Sequence, residues 1–261
     1  MVTQFKNILS GIMVIAACTI FPGFNQASAQ KIKSKKMSQK VLFVVTSHDK
    51  LGETGESTGY YLGEVTHPWA VLTEAGYEID FVSPKGGNPP YYGDNTEDPI
   101  NQKFLADKKY QAKIQNTMTP SEVNPSEYVA ILYAGGHGTM WDFADNAELA
   151  LIAQKIYENN GIVSAVCHGP AGLVNIKLSN GKYLVEGKKI NAFTNEEETA
   201  VKLEHVVPFS LETKLIERGA IFEKSGLWQP HVTVDQRVVT GQNPQSAHGV
   251  GEAVLQELRK Q

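Results

Sequence analysis

Four short apolar runs constrain this chain more than anything else in it: VLFVVTS (Val41 to Ser47), YEIDFVS (Tyr77 to Ser83), YVAILYAGG (Tyr128 to Gly136) and GIVSAVC (Gly161 to Cys167). Each is too short for a long helix and largely lacks the apolar-polar alternation of a half-exposed strand. They read as strands buried on both faces, as in a parallel sheet. Helical patterns separate them. Asp145 with Glu148 resembles a capping box, and Leu149, Ile152, Ala153, Ile156 and Tyr157 repeat at the spacing of one buried stripe. Asn159-Asn160-Gly161 then stops the helix. HVTVDQRVVTG, ending at Gly241, reads as a hairpin, and Val250, Ala253, Val254 and Leu258 mark a last amphipathic helix. This order of elements predicts an α/β three-layer sandwich, flavodoxin-like, with a mostly parallel sheet and helices on both faces. A chain of 261 residues that is 41% hydrophobic and 20% charged has the material for such a core.

The first thirty residues follow another logic. Lys6 precedes an apolar stretch from Ile8 to Phe24, and Ala27-Ser28-Ala29 is the small-x-small pattern of a signal-peptidase site. Residues 1 to 29 are therefore expected to be a signal peptide, 30 to 39 a basic linker, and 40 to 261 one domain, exported to the periplasm or secreted. Ser10, Gly11, Pro22 and Gly23 interrupt the stretch and argue against a membrane anchor. Ile15-Ala16-Ala17-Cys18 also resembles a lipobox, so lipidation at Cys18 is the alternative. Cleavage after Ala29 takes away Lys6 alone, so 24 basic residues become 23 against 28 acidic ones. That mildly acidic balance argues against nucleic acid as a partner. It also removes Cys18, leaving Cys167 without a disulfide partner.

Cys167 sits in VSAVCHGPAG (Val163 to Gly172), after a predicted strand and before a Gly-Pro pair suited to a first helical turn. A cysteine on such a strand-to-helix turn projects above the sheet edge, where backbone N–H groups and a helix dipole can stabilise a thiolate or an oxyanion. The competing reading is a small buried hydrophobe. YAGGHGTMWDF (Tyr133 to Phe143) ends a neighbouring strand with two glycines, and Gly136 is placed to offer a second N–H opposite that of His168. Glu64 in GEVTHPW stands just before a predicted helix. The breaker-rich stretch from Pro84 to Pro99 has the character of a lid or rim.

Together these segments resemble the ThiJ/PfpI superfamily of the class I glutamine amidotransferase-like fold, specifically its glyoxalase III branch akin to heat shock protein 31. The carriers are Glu64 four residues before Pro68, EAGYEIDFVSPKGG (Glu74 to Gly87), AGGHGTMWDF, AVCHGP (Ala165 to Pro170), FTNEEE (Phe193 to Glu198) and TGQNPQSA (Thr240 to Ala247). The resemblance implies a site of Cys167, His168 and Glu198, with Glu64 facing the sulfur and His137 and Trp141 lining the pocket. Glu196 and Glu197 stand beside Glu198 as alternatives, and Glu takes a place where some members carry Asp.

In the site that the resemblance implies, a thiolate held by His168 can add to an aldehyde carbon while Glu198 fixes the imidazole, and Glu64, if desolvated beside it, is expected to have a raised pKa and to move a proton. On methylglyoxal or a related 2-oxoaldehyde the product is a 2-hydroxy acid such as D-lactate, with no cofactor. The partner is then a small reactive carbonyl. The spacing of His48, His67, His205, His231 and His248 suggests no metal. A cysteine amidase or peptidase is a second reading, weakened because glutaminases of this fold use an H-x-E segment that is absent here. A holding chaperone with an apolar patch at a homodimer interface is a third. An exposed thiol of low pKa outside the cytoplasm would also be open to oxidation.

Overall fold

The computed structural model describes residues 40–93 and 95–261. The signal peptide, the Cys18 lipobox and the basic linker expected at 1–29 and 30–39 lie outside the described residues. In chain order the elements are β1 (Lys40–Val44), β2 (Tyr60–Tyr61), α1 (Leu62–Glu74), β3 (Glu78–Val82), β4 (Tyr91–Tyr92), α2 (Pro99–Ala106), α3 (Lys108–Ile114), β5 (Tyr128–Tyr133), α4 (Thr139–Asp142), α5 (Ala147–Glu158) and β6 (Ile162–Val166). They continue as β7 (Lys189–Ile190), α6 (Asn195–Ala200), α7 (Leu211–Glu217), β8 (Ile221–Phe222), β9 (Val232–Asp235), β10 (Val238–Gly241) and α8 (Ala247–Leu258). Among the described residues no helix is long and apolar enough to cross a membrane.

The main sheet has six strands in the order β3-β1-β5-β6-β10-β9. All neighbours run parallel except β9, which returns antiparallel beside β10 as the expected hairpin. Alternate residues of each central strand serve opposite layers, because successive side chains point to opposite faces. Leu42, Val44, Ile131, Tyr133, Val163 and Ala165 face the layer of α5 and α7. Val41, Phe43, Ala130, Leu132, Ile162 and Val166 face that of α1, α2, α3 and α8. Both sets are fully buried, which explains the unbroken apolar runs. Each large aliphatic so covered contributes about 1.5–3 kcal/mol.

The stripe of α5 expected from spacing is the one buried: Leu149, Ile152, Ala153, Ile156 and Tyr157. Its cap differs from the expected Asp145. Asn146 caps instead, accepting the Leu149 N–H at 3.0 Å. The side chains of adjacent Asp and Asn offer the same acceptor, so only backbone geometry selects between them. The α-helix expected at Gly169-Pro170 is a short 3-10 stretch, Gly169–Leu173. Two-residue parallel pairing of β4 with β2 ties the Pro84 to Pro99 rim to the carboxyl end of the sheet, next to the first turn of α1.

Candidate active site

The carboxyl ends of β5 and β6 lie side by side, and the chain after each one turns sharply. Cys167 follows β6 with φ +60°, a conformation costly for a side-chain-bearing residue. Two main-chain hydrogen bonds hold it there. Its N–H donates to Gly241 O and its carbonyl accepts from Phe193 N, both at 2.8 Å. A strained nucleophile elbow of this kind presents the sulfur to the space beyond the sheet.

After β5, Gly135 and Gly136 are required by shape. A side chain on Gly135 would collide with the Glu64 carboxyl, the Val166 carbonyl and the His168 N–H, and Gly136 has φ +102°. With both glycines in place, the N–H groups of Gly136 and His168 are directed at the Cys167 sulfur. These are the two donors expected from the sequence. They can follow negative charge from sulfur to a substrate oxygen.

His168 bridges the sulfur and an acid. Its Nδ1 lies 3.3 Å from Cys167 Sγ and its Nε2 lies 2.8 Å from Glu198 Oε2. Glu198 can only accept, so Nε2 carries the hydrogen and Nδ1 offers its lone pair to the thiol. Burial, helped by the neighbouring His137, holds His168 down at about 4, so the ring is neutral at pH 7 although Glu198 pulls the other way. Burial alone would raise Glu198, but His168 and His137 together override it and hold the acid at about 2. Phe193 covers the His168 ring, with centroids 4.3 Å apart.

Glu64 lies in the first turn of α1, inside the helix and not just before it. Its Oε2 accepts the Gly135 N–H at 2.8 Å. Oε1 has no nitrogen or oxygen donor against it, and the neighbour of the carboxyl is the Cys167 sulfur, within hydrogen-bonding reach. Burial pushes Glu64 up to about 8. The thiol is also pushed up, by burial first and then by the Glu64 charge. This corrects the expectation of an exposed, low-pKa thiol, because Cys167 is 4% exposed while His168 and Glu64 are fully buried. The fold removes both acid and thiol from water, and desolvation penalises either charge.

His137 is a second imidazole on the same acid, its Nε2 3.0 Å from Glu198 Oε1 and its ring 4.1 Å from that of His168. The structure therefore brings together Cys167, His168, Glu198, Glu64, Gly136 and His137. Trp141 is placed differently: its indole stacks on His48 with centroids 5.0 Å apart. Glu196 is exposed, whereas Glu197 is buried and accepts from Thr194 N and Oγ1 (3.0 Å each), Trp228 N (3.2 Å), Gln242 Nε2 (3.0 Å) and Asn243 Nδ2 (2.8 Å). That hub joins the FTNEEE segment to TGQNPQSA and fixes the helix bearing Glu198. Sequence spacing gave no sign of it.

One ligand atom from each of His137, His168 and Glu198 lies within 4.8 Å of the others, a grouping that the spacing of histidines along the chain conceals. Both imidazoles direct their Nε2–H groups at Glu198, so a cation there would have to displace two hydrogen bonds.

A parallel α/β sandwich with a cysteine on a nucleophile elbow, a neutral histidine on one side of the sulfur and a buried carboxyl beside it, defines a cysteine-centred site of the amidotransferase-like kind. The chain belongs to the DJ-1/PfpI family, whose model matches residues 58–257. It is 33% identical over 235 residues to the glutathione-independent glyoxalase HSP31 of Saccharomyces cerevisiae, covering 85% of this chain and 98% of that protein. Among solved structures it is similar to the Rapid Encystment Protein 24 KDa of Francisella tularensis (43% identity, TM-score 0.81, covering 84% of this chain and 98% of that one). It is also similar to glyoxalase III of Candida albicans (30% identity, TM-score 0.76, covering 84% and 96%).

Proposed function

We propose that this protein is a glutathione-independent glyoxalase (glyoxalase III, a lyase of the D-lactate dehydratase type) that converts methylglyoxal and related 2-oxoaldehydes to 2-hydroxy acids such as D-lactate. The observation that carries the proposal is the double flank of one sulfur: His168 Nδ1 at 3.3 Å and the buried Glu64 carboxyl within reach. Similarity to curated glyoxalases over most of the chain supports it.

The chemistry follows from the protonation states. Sulfur attacks the aldehyde carbon as neutral His168 takes the thiol proton, and the new alkoxide is met by the Gly136 and His168 N–H groups. His168 returns its proton to that oxygen, giving a neutral hemithioacetal. Sulfur is then uncharged, so ionised Glu64 faces no neighbouring negative charge and is a strong base in a dry site. It removes the proton from the former aldehyde carbon as electrons shift onto the ketone oxygen, and neutral His168 relays the hydrogen of the first hydroxyl to that oxygen through Nδ1, giving an enediolate. Glu64 then delivers its proton to the second carbon as the electrons return from the first oxygen, leaving a thioester with the hydroxyl on the second carbon. Water, deprotonated by His168, cleaves the thioester and the sulfur recovers its proton. One carbon is oxidised and its neighbour reduced, so no external redox partner enters.

The test is turnover of methylglyoxal by the purified protein with no added thiol. Lactate should form with the wild type, and Cys167→Ser and Glu64→Gln should each lower kcat by about a thousandfold or more. A wild type that forms no hydroxy acid would refute the reading. The proposal includes export, supported by Lys6, the apolar stretch after it and Ala27-Ser28-Ala29. N-terminal sequencing of the mature protein should begin at Gln30, and a chain beginning at Cys18 would favour the lipoprotein.

A further inference from the structure

Tyr92 was not singled out by any motif, yet its hydroxyl reaches the middle of the site. Parallel pairing of Tyr91–Tyr92 with Tyr60–Tyr61 fixes its backbone, and its ring meets that of Tyr61 edge-on with centroids 5.5 Å apart. The hydroxyl lies 3.2 Å from the His137 N–H and 3.2 Å from His137 Nδ1. Only one hydrogen arrangement satisfies all the partners. The backbone N–H donates to the phenol oxygen, the phenol donates to Nδ1, and Nε2–H donates to Glu198, which can only accept. Each assignment agrees with the other two.

Two consequences meet in this one hydroxyl. It keeps the His137 ring turned so that Glu198 is held on both oxygens, with Oε2 left on His168. It also anchors the peptide immediately after Gly136, whose N–H faces the sulfur. Without the hydroxyl, His137 keeps its hydrogen on Nε2 because Glu198 can only accept, but its Nδ1 and the Gly136–His137 peptide lose their tether, so the ring is freer to turn away from Glu198. Small displacements of such groups have large kinetic effects.

We infer that Tyr92 is a positioning residue for the 2-oxoaldehyde chemistry, holding the His137 ring against Glu198 and tethering the peptide that follows the oxyanion donor Gly136. The inference rests on the glyoxalase reading for its kinetic readout and on hydrogen bonding alone for its structural one. Tyr92→Phe keeps the ring against Tyr61 and removes only the hydroxyl. In the variant, kcat for methylglyoxal falls about tenfold to hundredfold, while KM stays within roughly twofold and the melting temperature stays near wild type. Long-range ¹H–¹⁵N spectra should show His137 as the Nε2–H tautomer in both proteins, with the Nε2–H proton sharp and downfield on Glu198 in the wild type and moved upfield and broadened by exchange in Tyr92→Phe. A wild-type kcat in the variant overturns the inference. So does a reduced kcat with the His137 Nε2–H signal unchanged, which would instead mean that the phenol touches substrate directly. If the wild type turns over no 2-oxoaldehyde, the glyoxalase reading fails alone, and the Nε2–H signal still decides the role of Tyr92.

Discussion

The Glu64 carboxyl and the Cys167 sulfur meet in the interior of the protein, one carried by the first turn of α1 and the other by the elbow after β6. Neither can ionise cheaply there, because burial raises both, and a charge on one opposes a charge on the other. The pair therefore titrates as a unit, and its first proton to leave controls the chemistry.

The pH profile should follow from this. Glu64 must be ionised to take a proton from carbon, and burial places it at about 8. His168, held at about 4, is already neutral over the whole range of interest. We expect kcat/KM for methylglyoxal to rise with pH through about 8 and to show no second limb between pH 6 and 8. An initial-rate series in a constant-ionic-strength buffer checks it, and a profile that falls over that range would assign Glu64 the role of an acid.

The same group makes stability depend on pH in a defined direction. The folded-state value of Glu64, about 8, lies above its ordinary 4.5, so the folded protein holds a proton that the unfolded chain releases. That contribution is fully present below pH 4.5 and is lost as pH rises toward 8. His168 shifts down from 6.5 to about 4, so its neutral form adds stability above 6.5 that is lost on acidification toward 4. Above pH 6.5 only the Glu64 effect remains of these two. Raising the pH from 6.5 to 8 should cost about 2 kcal/mol in the wild type and much less in Glu64→Gln, as read by urea denaturation at each pH.

Much of the scaffold could be read from the chain because its strands are buried on both faces, and such strands leave unbroken apolar runs such as Val41 to Val45. Cys167 was visible for a similar reason, since a cysteine between such a run and a Gly-Pro pair has a recognisable local context. Glu64 and Glu198 were reached through resemblance, because no spacing rule connects acids delivered by separate helices. Tyr92 and Glu197 stayed hidden. Tyr92 arrives through two-residue strand pairing inside a rim loop, and the partners of Glu197 come from segments far apart along the chain. Trp141 shares a motif with His137, and the start of α4 turns its indole onto His48, a contact that the sequence pattern could not place.

Glu198 is long enough to meet His168 at 2.8 Å with one oxygen and His137 at 3.0 Å with the other. Glu198→Asp withdraws the carboxylate by one methylene and cannot keep both contacts. We expect kcat/KM to fall about tenfold to hundredfold, with His168 retaining the shorter acid. Glu198→Gln should be worse, by about a thousandfold, because its amide can accept from only one imidazole and opposes the other with an N–H. Steady-state kinetics of the two variants tests the order, and equal losses would show that the double contact matters and the charge adds nothing.

Glu197 supplies the last test, because it separates the acid that orients His168 from the acid that holds the scaffold. Its two oxygens take hydrogen bonds from Thr194, Trp228, Gln242 and Asn243, and every one of those partners is a donor. In Glu197→Gln one oxygen becomes an NH2 group facing donors, so whichever way the amide turns, buried hydrogen bonds are broken without replacement. The expected cost is about 3 kcal/mol of folding free energy. Glu196, exposed one residue earlier, should change stability by no more than about 0.5 kcal/mol when converted to Gln. Because α6 carries Glu198 on the turn that Glu197 pins, the Glu197 variant should also lose activity at temperatures well below its own melting point, in parallel with loosening of the Glu198–His168 contact. Thermal melts together with kinetics at 15 °C separate the two effects, and full activity at that temperature in a destabilised Glu197→Gln would confine the residue to a role in folding.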